Sequence, residues 1–167
     1  RGFHIFMRSL PEILGRNQNV KIIIVGANGV SYGSNPPDGG TWTDRMIAEV
    51  VSSLPNQAKE RVFFTGTLSY DQYISLLQIT TVHVYLTYPF VLSWSLLEAM
   101  SAGCAIVGSD TEPVREVISH NENGLLTDFF DTGALASKVT HLLNDPNLRQ
   151  RLANQARQTV ISRYDHK

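Results

Sequence analysis

Residues 82–110 (VHVYLTYPFVLSWSLLEAMSAGCAIVGSD) constrain this chain most, because they read as strand, bend, helix, tight turn, strand. Val82-His83-Val84-Tyr85-Leu86 is β-branched and aromatic, as strands are. Tyr88-Pro89 ends it, since proline has no N–H for a ladder. Ser93 or Ser95 can cap a helix whose Trp94, Leu97 and Met100 share one side. Gly103 stops that helix, and Ala105-Ile106-Val107 begins the next strand. Two parallel strands joined by a helix form a βαβ unit, which places the helix N-terminus at the carboxyl edge of the sheet. Unpaired N–H groups gather there and attract anions, phosphate above all. Glu98 lies about one turn in from that mouth.

The rest of the chain repeats this alternation. Phe3, Phe6, Met7, Leu10, Ile13 and Leu14 follow helical spacing, with Pro11 expected to kink or restart the helix. The apolar run 20–25 predicts a central strand, followed by the turn Gly26-Ala27-Asn28-Gly29 and a Gly/Pro-rich loop over 32–43. Met46, Ile47, Val50, Val51 and Leu54 predict a helix ending before Pro55. A strand over 61–65 and a short helix capped by Ser69 or Asp71 precede the central unit. Beyond it come a short helix opened by Pro113, a strand at Gly124-Leu125-Leu126, a stripe of Leu135, Val139, Leu142 and Leu143, and a last helix opened by Asp145-Pro146. The fold expected is α/β: a doubly wound, Rossmann-like parallel sheet with helices on both faces.

Size and charge narrow the function. A chain of 167 residues is one domain with a real core. With 43% apolar residues and net charge −1, it suits a globule and argues against broad nucleic-acid or membrane-surface binding. Its one cysteine, Cys104, allows no intrachain disulfide, and a reducing compartment is the easier reading. No apolar run approaches the roughly 18 residues of a membrane span. The chain starts without Met inside a helical pattern, so it is read as part of something longer.

Most other chemistry finds no support. Tyr32 stands where the dinucleotide fingerprint needs its third glycine. The five histidines lack metal-ligand spacing, His83 reads as a satisfied core residue, and Cys104 as packing. No nucleophile elbow is present. Asp-x-Asp pairs that hold a divalent metal on a nucleotide diphosphate do not occur, so no metal or cofactor is expected. Glu98 differs: it is a charge between Leu97 and Ala99-Met100, near an anion-attracting mouth. A carboxylate there can accept two hydrogen bonds from a vicinal diol such as a ribose; the plain alternative is a surface glutamate.

The stretch SWSLLEAMSAGCAIVGSD (93–110) resembles the donor-binding segment of the retaining family 4, or group 1, glycosyltransferases. Further similarity lies at Arg1-Gly2-Phe3, at VFFTG (62–66), at PVREVI (113–118) and at NGLL (123–126), in the family's order. The resemblance implies one half of a GT-B fold: residues 1–167 as the C-terminal nucleotide-sugar-binding domain, with the N-terminal acceptor domain absent. It implies a nucleotide-diphosphate sugar as partner, and a sugar, lipid-linked or polysaccharide acceptor brought by the other half. It also implies a cytoplasmic protein, whose peripheral contact with the inner face of a membrane would run through that half.

Roles carry over position by position. The family has two glutamates separated by seven residues. The second matches Glu98, expected on the ribose hydroxyls; the first falls on Phe90, which offers neither charge nor hydrogen bond. Val91, Leu92 and Ser93 stand where a glycine-rich turn offers N–H groups to phosphate and sugar. Arg1 replaces a lysine expected to neutralise the diphosphate. Thr67 and Leu68 match the stretch that cradles the base. The implied activity is metal-independent sugar transfer with retention of configuration, main-chain groups serving where Phe90 cannot, and little transfer by the isolated part. A non-catalytic nucleotide-sugar-binding or regulatory module and a GT-B-type epimerase remain open; a hydride-transferring dinucleotide enzyme is least supported.

Overall fold

The computed structural model describes residues 2–30, 34–37, 39–88 and 91–164. Helix α1 (Phe3–Arg16) continues through Pro11. Proline costs about 3 kcal/mol inside a helix. Met7, Leu10, Ile13 and Leu14 along the inward face are almost wholly buried. At about 1.5–3 kcal/mol each, their burial outweighs that cost, so of the kink or restart expected at Pro11 the restart does not occur.

Two parallel sheets follow among the described residues. Strand β1 (Ile22–Val25) pairs with β2 (Val62–Gly66), Ile22 opposite Val62. Strand β3 (Val82–Tyr85) pairs with β4 (Ala105–Ser109), which pairs with β5 (Leu125–Thr127), giving the order β3-β4-β5. Every pairing is parallel, as the alternating pattern requires.

The β3-β4-β5 sheet is covered on both sides. Side chains along a strand alternate between faces. Ala105, Val107 and Leu125 join a core with α1 and with α7 (Thr132–Asn144). Ile106, Leu126 and Tyr85 join a second core with α5 (Trp94–Ser101) and α8 (Pro146–Arg163). The run 20–25 is a strand, but not a fully covered central one. Ile22 and Ile24 pack inward, while Ile23, Val25 and Phe63 stay 38–43% exposed on the other face of the two-stranded ladder.

The connections match their chemistry. Thr41 caps α2 (Trp42–Glu49) by accepting the Asp44 N–H, and a 3-10 turn over 51–53 finishes what the periodicity suggested was one helix. A four-residue helix, α3 (Asn56–Lys59), was too short to read from sequence. Ser69, not Asp71, caps α4 (Tyr70–Ile79), in a reciprocal box with Gln72. Pro113 sits in the first turn of α6 (Glu112–Arg115), one residue after Glu112 opens it. Asp145 ends α7 and begins α8: its N–H donates to His141 O and its Oδ1 accepts the Leu148 N–H, both at 2.9 Å.

Candidate nucleotide-sugar site

Two helix starts meet at the carboxyl end of β3. Helix α5 opens at Ser93, whose N–H donates to the Tyr85 hydroxyl at 2.8 Å. Tyr85 is 8% exposed, so a buried phenol from the strand fixes where the helix begins. Ser93 Oγ accepts the Ser95 N–H at 3.4 Å and the Ser95 hydroxyl at 3.0 Å. Helix α1 opens at Gly2, which has φ +66° and no side-chain cap. A methyl group on Gly2 would collide with the Leu86 side chain, so the backbone there lies directly on the chain leaving β3. Helix α1 leaves its first N–H groups without described partners at this rim, whereas at the start of α5 the Ser93, Ser95 and Leu96 N–H groups are already bonded and the Trp94 N–H is the one left without a described partner; each start still carries about half a positive charge.

Hydrogen bonds tie the strand exits at the rim. Ser109 at the end of β4 accepts the Thr87 N–H at 3.0 Å and donates to Thr87 O at 2.9 Å. Thr111 Oγ1 donates to the same carbonyl at 3.2 Å. The exits of β3 and β4 are therefore bolted together beside the helix starts.

Glu98 lies in the second turn of α5, half-buried between Leu97 and the buried Ala99. It faces α4: Tyr73 is pushed up to about 12 by burial and then by the Glu98 charge. The carboxylate is thus neither loose in solvent nor neutralised by an ion pair among the described residues. Of the other residues singled out from sequence, Ser93 is the α5 cap, Val91 is 70% exposed, and Leu92 packs partly on the α5–α8 core. Thr67 is exposed and Leu68 half-buried where β2 hands over to α4. Arg1 and Phe90 lie outside the described residues.

Hollows of about 320 and 240 Å³ exist elsewhere, the first between the 119–123 turn and α8, the second beside the starts of β3 and β4. Neither includes Glu98 or the rim. Among the described residues no three His, Cys, Asp or Glu side chains gather as a metal site. No described helix is long and apolar enough to cross a membrane.

Other groups take plain roles. The Cys104 thiol donates to Leu77 O at 3.2 Å, and burial pushes its pKa up to about 11, so it is no nucleophile. His83 makes no hydrogen bond to a described residue, unlike the satisfied core histidine expected, and burial drives its pKa down to about 4. Sequence reasoning missed Tyr85, whose role depends on a hydrogen bond across the sheet exit. It also missed an aromatic group spanning the rim, formed by Trp42, His4, Phe129, Tyr88 and Phe130.

The family model "Glycosyl transferases group 1" matches residues 1–159. The chain belongs to this family. Among its relatives is N-acetyl-alpha-D-glucosaminyl L-malate synthase of Bacillus anthracis, 29% identical over 118 residues, covering 71% of this chain and 30% of that protein. The C-terminal domain of a group 1 transferase, LpcC, from Francisella tularensis superposes with TM-score 0.81 at 18% identity, over 99% of this chain and 80% of that one. Anabaena HepE, crystallised with UDP-glucose, superposes with TM-score 0.78 at 22% identity, over 98% of this chain and 41% of that one. These likenesses establish the parallel α/β fold of the group 1 domain. The chain spans about a third of the length of the curated relatives it matches.

Proposed function

We propose that residues 1–167 are the C-terminal, donor-binding domain of a group 1 transferase that moves a sugar from a nucleotide diphosphate to a hydroxyl acceptor. The observation that carries this reading is the meeting of the α1 and α5 starts at the exit of β3, with Glu98 a turn below. A diphosphate seated there gains charge as the sugar leaves, and fixed N–H groups stabilise that charge without a metal. Arg1 would add a cation. Glu98 would accept the ribose hydroxyls, and Thr67 and Leu68 would border the base. The main chain of 91–93 would face phosphate and sugar in place of an acid at position 90. Transfer retains anomeric configuration on this reading, and an acceptor-binding half closes the cleft against water. HepE, solved with UDP-glucose, supports the class of donor.

Calorimetric titration of uridine, guanosine, adenosine and thymidine diphosphate sugars tests the reading. One of them binds, and Glu98→Ala weakens it by about 1–3 kcal/mol, the scale of hydrogen bonds lost to a charged group. Equal affinity in parent and variant removes Glu98 from the site.

A further inference from the structure

We propose that the two sheets are one sheet with a slot for a single strand between β1 and β3, filled by the segment of the full-length protein that directly precedes Arg1. The inference rests on the reading above that residues 1–167 are one domain of a longer transferase. The curated relatives extend well beyond the stretch matched here.

Handedness fixes the order of the strands. Ile22 and Ile24 share one core with Val82, Val84 and Val107, so both sheets lie in one layer. Helices α1 and α2 pack on that core, whereas α4, α5 and α6 pack on the opposite one. Crossovers between parallel strands are right-handed in about 98% of cases. Helices on one face therefore step along the sheet in one direction, and helices on the other face step back. The unit β1-α2-β2 runs one way, and β3 through α5 and α6 to β5 runs the other. Helix α4 carries the chain from β2 back past β1 to β3. The order is then β2, β1, slot, β3, β4, β5. A strand leading into α1 must lie on the side of β1 away from β2, which is the slot.

Both edges of the slot are open. Among the described residues β1 and β3 are each paired on one side only. Ile22 N–H donates to Arg61 O at 2.8 Å and Gly26 N–H to Gly66 O at 3.0 Å. Backbone groups alternate along a parallel strand, so Ile23 and Val25 turn theirs toward the slot. Val82, His83 and Val84 of β3 are half-buried, whereas β4, paired on both sides, is buried throughout. Helix α1 bridges the slot, starting with Gly2 against Leu86 and ending at the turn into β1. Its width of about 10 Å matches two strand spacings. A strand of about 5–6 residues fits, apolar throughout because both of its faces are covered. Covalent attachment to α1 gives that segment a local concentration no separate chain matches. Its exit would form the floor between the α1 and α5 starts, where the strand order reverses and α/β sheets take their ligands.

Amide hydrogen exchange on the full-length protein tests this. Ile23 and Val25 are expected to exchange within about tenfold of the rates of Ile106 and Val107. Single prolines over the about six positions before Arg1 should speed Ile23 or Val25 at least tenfold at one position or more, while α8 stays protected. Ile23 is 42% exposed, so Ile23→Cys is a mild change. Combined with a cysteine in the upstream segment, it should be joined within one chain by a short bismaleimide. Fast exchange at Ile23 and Val25 beside slow exchange at Ile106 overturns the slot. Protection that no upstream proline alters, or cross-links formed only between two chains, overturns the assigned occupant. A filled slot in a protein that calorimetry shows to bind no diphosphate sugar keeps the strand and sinks the donor reading instead.

Discussion

His83 shows how one half-buried side chain writes a pH dependence into the domain. Burial holds its folded pKa near 4, whereas the unfolded chain titrates near 6.5. Between those values the unfolded chain binds the extra proton, so stability is full above about 6.5 and falls as pH drops toward 4. The slope is at most about 1.4 kcal/mol per pH unit. Urea titrations at pH 7 and pH 5 are therefore expected to differ by about 1–2 kcal/mol more in the parent than in His83→Val. A difference equal in both would show that other groups carry the effect. His4, which burial and then Arg8 also hold below its ordinary value, is common to both proteins and cancels in the comparison.

Helix ends decide much of the architecture, and Arg61 is the clearest case. Its guanidinium donates to Asn17 O at 2.7 Å, Leu14 O at 3.2 Å and Val20 O at 3.3 Å, closing the carbonyl end of α1 from a residue beside β2. Arg61→Ala is expected to cost about 2 kcal/mol in thermal or urea unfolding. Arg61→Lys should recover only part of that, since an ammonium lacks the planar fork. A loss under 0.5 kcal/mol, the level of an ordinary surface change, would contradict the capping role. Local signals of this kind differ in how far sequence reveals them. Gly103 and Asp145-Pro146 could be read directly and the caps of α4 and α5 narrowed to Ser69 or Asp71 and Ser93 or Ser95, because capping acts within a few residues. Arg61 could not, because its acceptors lie some forty residues upstream. The aromatic group was hidden for the same reason: Trp42, Tyr88 and Phe130 look like scattered loop aromatics until three separate strand exits converge. Pro11 misled for the opposite reason, since tertiary burial along α1 overrides a local veto.

Across the whole molecule, the sheet's carboxyl edge collects the helix starts, Glu98 and the aromatics, while the hollows lie away from them. If fixed N–H groups and Arg1 do the work of a metal, steady-state transfer by the full-length protein should stay within about twofold after exhaustive chelation. A collapse restored by Mg²⁺ or Mn²⁺ would overturn that part of the mechanism. The joint at Asp145 has a different consequence. One residue serves two helices: α7 lies in the first core, α8 runs from that core at Leu152 and Ala153 to the second at Ala156, and Arg149 Nη1 fastens the corner by donating to Leu142 O at 2.9 Å and Leu143 O at 3.1 Å. With no spare link between them, lengthening the chain here by a single amino acid would rotate one arm against its bed. The length of this elbow is thus set by the two bonds that Asp145 makes, one to each helix.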